Sequence, residues 1–364
     1  MKAKISNANK KTVLVGLSGG VDSSLAVLLL KKQGYNVIGA FMKNFSDIKN
    51  PYTGECNYLE DKKMAQKMAA FLNIQFIFID SEKEYKSLVI DPMYNSYAKG
   101  LTPNPDILCN KMIKFPILWK TAKKIKADYI ATGHYARIKK TPSGYQLLQG
   151  KDKTKDQSYF LSELSENDLS HTLFPVGNLT KSQVRKLAKK YNFPNWDKKG
   201  TSGICFVGKV DMKSFLSKKI SYKNGKVHSP EGKILGVHQG IQYYTIGQRA
   251  GPRIGINLNK NAENKKLYVA KKIGSNLILT PENHPLLKKQ LIKINKIHFI
   301  NKFSKIPSNL KGRIRHLGKL HKGKLIKKSN SYYFKFASPI SSVAEGQYLV
   351  IYNNNHLVAS GEMR

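Results

Sequence analysis

The chain has 364 residues, 41% hydrophobic and 10% aromatic, with 63 Lys and Arg against 23 Asp and Glu for a formal charge of +40. That length and apolar content predict two or three domains of roughly 100–200 residues and exclude a disordered chain. Three cysteines (Cys56, Cys109 and Cys205) exclude a disulfide-dense secreted scaffold, and the longest aliphatic run, Leu25–Leu30, is far short of a membrane span, so a cytoplasmic protein without a membrane partner is expected.

In chain order, Thr12–Leu17 predicts a short buried strand, Asp22–Lys32 an apolar helix closed by Gly34, and Val37–Met42 a second strand. Asn44–Asn57 reads as a polar loop around Pro51 and Gly54. Leu59–Leu72 carries Met64, Ala65, Met68, Ala69 and Leu72 at helical spacing; Ile74–Ile79 is a third strand, Ile117–Lys126 a helix and Asp128–Thr132 a fourth strand. Strands too apolar to face water, alternating with helices, predict an α/β domain on a parallel sheet covered on both faces. Beyond about residue 210 come short glycine-punctuated strands, at Lys226–Ser229, Lys233–Val237, Tyr243–Ile246, Lys266–Ala270 and Asn276–Thr280. After Pro285 the strands fall at Lys293–Phe299, Lys311–Arg315, Tyr332–Phe336, Gln347–Tyr352 and His356–Gly361. They predict a small central β-rich domain and a C-terminal β-barrel, with domains at 1–210, 211–284 and 285–364.

The charge favours a polyanionic partner, nucleic acid before membrane. Only seven of the basic residues are Arg, and the lysine excess travels with Asn and Ile as AT-rich codon drift would produce, so distribution matters more than the total. The stretch Asn301–Asn330 holds Lys302, Lys305, Lys311, Arg313, Arg315, Lys319, Lys322, Lys324, Lys327 and Lys328 and no acid. Alternation in Lys311–His316 predicts a strand with basic side chains on one face, a track for phosphates.

The sharpest local signal is Gly16-Leu17-Ser18-Gly19-Gly20-Val21-Asp22-Ser23-Ser24, between the first strand and the first helix. Two glycines let the backbone turn its N–H groups on a ligand, the serines add hydroxyls, and the helix presents its positive end to the same point. This is a pyrophosphate cradle without the lysine of a Walker loop. The run resembles the signature of the PP-loop ATP pyrophosphatases. The resemblance implies that residues 16–23 grip ATP phosphates and that Asp22 helps to hold Mg²⁺. Strand ends border the ligand in such sheets, which places Met42 at the adenine and Gly133, in Ala131-Thr-Gly-His-Tyr135, where base or ribose approaches the backbone. Ordinary core packing is the plainer account of Met42.

Cys109 lies in Leu101-Thr-Pro-Asn-Pro-Asp-Ile-Leu-Cys-Asn110, read as a loop with the cysteine where a helix starts, a position that lowers a thiol pKa. Asp106 precedes it at a spacing that shares its face. Cys205 lies in the glycine-flanked Gly200-Thr-Ser-Gly-Ile-Cys-Phe-Val-Gly208, while Cys56 has no chemical neighbour nearby. PNPDILCNK, GTSGICFVG, SGGVDSS, ATGHYA and KDQSYFL in this order, with YTIGQRAG and SPISSVAEGQYLVIY, resemble the tRNA-specific 2-thiouridylase family over essentially the whole chain.

That resemblance implies ATP-dependent adenylation of the C2 oxygen of the wobble uridine in tRNA, then sulfur transfer from a transient persulfide on Cys205. Cys109 attacks the persulfide bond, which leaves a Cys109–Cys205 disulfide. Asp106 is implied as general acid/base, with helix capping as its structural alternative. Asn104, Pro105 and Asp106 match the target-base segment; His134, Lys155, Asp156, Gln157, Arg315, His316 and Gln347 match tRNA contacts, although the family has tyrosine where this chain has His316. Implied partners are the tRNAs for Lys, Glu and Gln and a sulfur donor, a cysteine desulfurase acting directly or through a relay protein. No permanent metal site is expected. A PP-loop ligase or amidotransferase acting on a small metabolite accounts for the phosphate loop but not for two loop cysteines or a basic C-terminal domain. An RNA-binding module with a degenerate nucleotide site conflicts with the intact loop.

Overall fold

The computed structural model describes residues 10–47, 56–198, 200, 205, 207, 211–301 and 306–364. Most of the polar loop at 44–57, most of the glycine-flanked segment around Cys205, and Lys302 and Lys305 of the basic stretch lie outside the described residues. The chain divides into two compact units, residues 1–89, 106–209 and 355–357 in one and residues 90–105, 210–354 and 358–364 in the other.

In the first unit, β1 (Thr12–Gly16), β2 (Asn36–Lys43), β3 (Gln75–Asp80) and β4 (Tyr129–Ala131) are parallel strands; β5 (Ala136–Thr141) and β6 (Gly144–Gln149) form an antiparallel hairpin, and β7 (Thr172–Leu173) returns to the sheet. The order β3-β2-β1-β4-β7 bears out the predicted parallel α/β sheet. Val13, Leu14 and Val15 of the central strand are wholly buried, as the unbroken apolar run requires. The edge strand differs: β3 alternates between half-buried and exposed positions, and Phe78 is 41% exposed. The helices α1 (Val21–Lys32) and α2 (Asn57–Phe71) deliver Leu25, Leu30, Ala65 and Met68 to a core with Val13 and Val15. Because the chain runs outward from β1 through β2 and β3 and resumes on the other side at β4, a crevice opens at the carboxyl ends of β1 and β4.

One helical segment departs from its expected form. Pro105–Cys109 is already helical, Asn110–Lys114 widens into a π-turn, and Phe115–Lys124 continues as α-helix. Cys109 therefore closes a first helical turn rather than ending a loop, with Pro105 in the one helical position where a missing N–H costs nothing.

The second unit holds two β assemblies. In the central one, β8 (Asn224–His228), β9 (Ile234–Gln239), β10 (Ile256–Leu258), β11 (Leu267–Ile273) and β12 (Asn276–Pro281) take the order β10-β9-β8-β12-β11 around Val227, Val269 and Leu277. The strand expected at Tyr243–Ile246 is absent: Ile241–Tyr243 is a single tight turn, and buried Tyr244 donates its hydroxyl to the Gly255 carbonyl. In the other, β13 (Lys288–Phe299), β14 (Leu310–Arg313), β15 (His321–Lys328), β16 (Ser331–Ser341), β17 (Tyr348–Asn353) and β18 (His356–Met363) follow the order β13-β16-β15-β14-β17-β18. Pairing of β13 with β18 closes them into the predicted barrel, around Phe334, Phe336, Leu349 and Ile351. Arg313 does not join an exposed basic face: it is 6% exposed, with its guanidinium over Tyr352. Lysines from three strands form that face instead, Lys311 opposite Lys322 and Lys324 opposite Lys335. Among the described residues no helix is long and apolar enough to cross a membrane.

Candidate active site

The loop after β1 turns at Gly19, whose φ of +74° suits glycine and whose missing Cβ leaves room for the Asp61 carbonyl. Leu17 and Val21 point into the core, so only their backbone faces the crevice. Ser23 and Ser24 hydroxyls both donate to the Gly20 carbonyl at 3.0 Å, and the Ser18 N–H donates to Ser23 Oγ at 3.2 Å, so the loop is braced by its own side chains. Asp22 stands in the first turn of α1, its carboxylate 2.6 and 2.7 Å from Lys181 Nζ and taking the Tyr135 hydroxyl at 2.6 Å. Gly133 lies against this loop. A Cβ there would lie 2.6 Å from the Ser23 N and 2.8 Å from the Asp22 carbonyl carbon, so the glycine lets the phosphate loop itself approach. Met42, next to last in β2, is 6% exposed.

In the same unit, Cys109 and Cys205 lie with sulfurs 3.8 Å apart, although their positions are 96 residues apart in sequence. Asp106 holds them there: its Oδ1 accepts the Cys205 N–H at 2.7 Å, and the Tyr85 hydroxyl donates to the Cys205 carbonyl at 2.6 Å. The π-turn is pinned by Asn110, whose amide donates to the Asp106 and Phe160 carbonyls. Lys114, at the end of that turn, puts Nζ 3.5 Å from Cys205 Sγ and 3.4 Å from His134 Nε2.

This surrounding divides the two thiols. Cys205 is held below the usual cysteine value, chiefly because the Cys109 S–H donates to it, with Lys114 adding to the effect and burial opposing it. Cys109 is pushed well above that value, first by burial and then by the same bond to Cys205. The lowered pKa expected at Cys109 thus belongs to Cys205; Cys109 is 0% exposed and sits at the end of its helical turn, not in the field of a helix start. Burial also raises the Asp106 carboxyl, against the Cys205 N–H and Lys114. The arrangement offers one sulfur shifted toward the thiolate, a second beside it shifted toward the thiol, and a lysine side chain.

The tRNA methyl transferase HUP domain, the tRNA methyl transferase PRC-barrel domain and the aminomethyltransferase beta-barrel domain match residues 11–209, 213–280 and 289–363 in turn. Along almost its whole length the chain is similar to proteins named tRNA-specific 2-thiouridylase MnmA. It is 41% identical to that of Karelsulcia muelleri over 388 residues, covering 98% of this chain and 99% of the relative. It is 39% identical to that of Flavobacterium johnsoniae over 396 residues, covering 96% and 99%. The chain belongs to the tRNA-specific 2-thiouridylase family.

The residues matched to that family's tRNA-contact positions separate in the structure. In the second unit, Asn104 Nδ2 donates to Gln347 Oε1 at 3.2 Å, and Gln347 Nε2 donates to the Thr102 and Pro103 carbonyls, which fixes the segment that ends at Pro105. Arg315 and Lys155 are exposed, and His316 is half-buried. Asp156 is different: it is 0% exposed and accepts from the Gly150 and Ser158 N–H groups and the Gln149 amide, so its carboxylate shapes its own loop. Gln157 accepts the Tyr135 N–H, and His134 is buried against Lys114 and Thr132. The sequence reading missed Tyr85, Lys114, Tyr135, Lys181 and Asn195, which braces the phosphate loop through the Gly19 carbonyl and Ser24 hydroxyl. Tyr135 lies in the quoted ATGHYA run, whereas the other four stand in no quoted motif and are brought in by the fold.

Gly133→Ala is expected to push residues 22–23 out of place and weaken ATP binding at least tenfold while the protein stays folded. Calorimetric titration with ATP, beside a thermal melt, checks this; unchanged affinity would mean that the loop does not depend on that close approach.

Proposed function

We propose that the chain is a tRNA-uridine 2-sulfurtransferase that adenylates the wobble uridine of tRNA with ATP and replaces its C2 oxygen with sulfur carried as a persulfide on Cys205. The observation that carries this reading is the pair of thiols 3.8 Å apart, one favouring the thiolate and one the thiol, in the same unit as a phosphate loop. A small-metabolite ligase has a use for the loop and none for the thiols.

In the first half-reaction the backbone N–H groups of residues 18–20 and the start of α1 receive the β- and γ-phosphates. The uracil C2 oxygen attacks the α-phosphorus, and pyrophosphate leaves. Asp22 is the carboxylate that would hold Mg²⁺: it lies beside the loop as a hard oxygen donor, and one or two carboxylates plus substrate phosphates are the usual set for this ion, which supplies charge neutralisation when bound. Lys181, 2.6 and 2.7 Å from that carboxylate, is a second positive group that would be available to phosphate oxygens.

In the second half-reaction the terminal sulfur of Cys205–S–SH takes the place of AMP at C2. Cys109, deprotonated as it reacts, attacks Cys205 Sγ and breaks the S–S bond of the persulfide, before or after the new C–S bond forms. The products are the 2-thiouridine, AMP and a Cys109–Cys205 disulfide, which a thiol reductant returns to the starting state. A persulfide-bearing protein, a desulfurase or a relay, reloads Cys205. The lysines of β14, β15 and β16 serve as a phosphate track; like charges placed directly opposite on a sheet cost stability unless an anion lies between them.

Cys205→Ser is expected to abolish 2-thiouridine formation, read by nucleoside mass analysis, and to leave tRNA-dependent pyrophosphate release within a few-fold of wild type. Thiolation by that variant would reverse the roles of the cysteines. Replacing Lys311, Lys322, Lys324 and Lys335 with Gln is expected to flatten the log–log salt dependence of tRNA binding by about 3, at roughly 0.7–0.9 per phosphate contact. An unchanged slope would remove this face from the RNA interface.

A further inference from the structure

Lys114 is the cation at the sulfur site, and its position depends on an irregular helix. In a regular α-helix, residues five apart point about 140° away from each other, so Lys114 would turn its side chain away from Cys109. The π-turn at Asn110–Lys114 adds a residue to the turn and brings the fifth position back over the first. Such turns are rare, and in this one the Asn110 side-chain amide donates to the Asp106 carbonyl at 3.0 Å. The result is that Asp106, Cys109 and Lys114, all on one helical segment, meet Cys205 at one point.

The rest of the shell favours a charged Lys114. The Lys114 ammonium can only donate, so His134 Nε2 accepts at 3.4 Å, which assigns the hydrogen of the neutral ring to Nδ1, 2.7 Å from Thr132 Oγ1. Burial, and then Lys114 itself, keeps the His134 imidazole neutral. The Lys114 ammonium is favoured beyond its ordinary range because Cys205, Cys109 and Asp106 outweigh its own burial. Facing the Cys205 sulfur and backbone are therefore Cys109, Asp106 and Lys114 from the 105–124 helix, Tyr85 from the helical turn Glu82–Tyr85, and His134 behind Lys114.

We propose that Lys114 is a catalytic residue of sulfur transfer, the counter-ion of the Cys205 thiolate as it attacks the donor persulfide and of the terminal persulfide sulfur while Cys205 carries it, with His134 as the residue that positions it. In the loading step the Cys205 thiolate attacks the terminal sulfur of a donor persulfide R–S–SH. The S–S bond of the donor breaks, Cys205–S–SH forms, and R–S⁻ leaves and takes up a proton. The inference rests on the reading of Cys205 as the sulfur carrier.

The test follows the pH dependence of iodoacetamide alkylation at the Cys205 peptide by mass spectrometry, in the full-length protein. Lys114→Met is expected to raise the midpoint by about one unit or more, as loss of an opposite charge within hydrogen-bonding distance does. Lys114→Arg should restore most of that shift, and Lys114→Gln serves as the second neutral variant should the Met protein not fold. Loading of Cys205 by glutathione persulfide at neutral pH should fall at least tenfold in the neutral variants and recover in the Arg variant. A midpoint that does not move in a folded neutral variant overturns the proposal. Neither readout involves tRNA, so the proposal about Lys114 stands or falls apart from the wider reading, which fails separately if Cys205→Ser protein still makes 2-thiouridine.

Discussion

The sulfur site depends on one hydrogen bond, from the Cys205 backbone N–H to the Asp106 carboxylate at 2.7 Å, across 99 residues of sequence. Together with the Tyr85 hydroxyl on the Cys205 carbonyl, it holds two thiols 3.8 Å apart. A charge-assisted bond of this kind is stronger than a neutral one, and burial removes the water that would compete for it. The same carboxylate adds negative charge to the pocket, which helps to explain why a lysine is tolerated within it. Asp106 is thus first an organiser of geometry, and any proton it moves during catalysis moves from that fixed position.

Two sulfurs with opposite tendencies suit a relay better than two alike. A pair of thiolates would repel each other and oxidise together, and a pair of thiols would attack nothing. Here the Cys109 hydrogen is donated to the Cys205 sulfur, so one proton stabilises the ionised partner and marks which sulfur accepts first. The pH dependence has a definite sign: a lowered Cys205 value enlarges the thiolate fraction of the acceptor at any given pH below the usual cysteine range, and the loading rate falls as pH drops through that value. The nucleotide end is arranged in a parallel way, with Lys181 and the Tyr135 hydroxyl on the Asp22 carboxylate.

Much of this was legible in the sequence because some chemistry requires particular residues in unbroken runs. The phosphate loop must be contiguous, and the apolar strand before it and the helix after it are the only elements that can present it. Cys109 and Cys205 stood out from Cys56 by their proline- and glycine-rich settings. What escaped was set by longer-range physics. Lys114 looks like any of the chain's lysines until a π-turn rotates it inward, and the thiol assignment at Cys109 reversed because burial outweighs any helix-end effect. Strand β15 was hidden by its lysines, since its inward positions are Gly323 and Leu325 rather than large alternating hydrophobes. Asp156 was matched to a tRNA contact, and a sequence cannot show that three donors enclose its carboxylate.

The most direct test of the central claim, that both cysteines act on one sulfur atom, is to allow a single turnover and identify the product linkage. Protein loaded with persulfide and given ATP, Mg²⁺ and tRNA without reductant would be alkylated, digested and analysed by mass spectrometry. The account predicts a Cys109–Cys205 disulfide peptide in proportion to the 2-thiouridine formed, with Cys56 alkylated. Thiouridine formed with Cys109 still free, or a linked peptide containing Cys56, would contradict it.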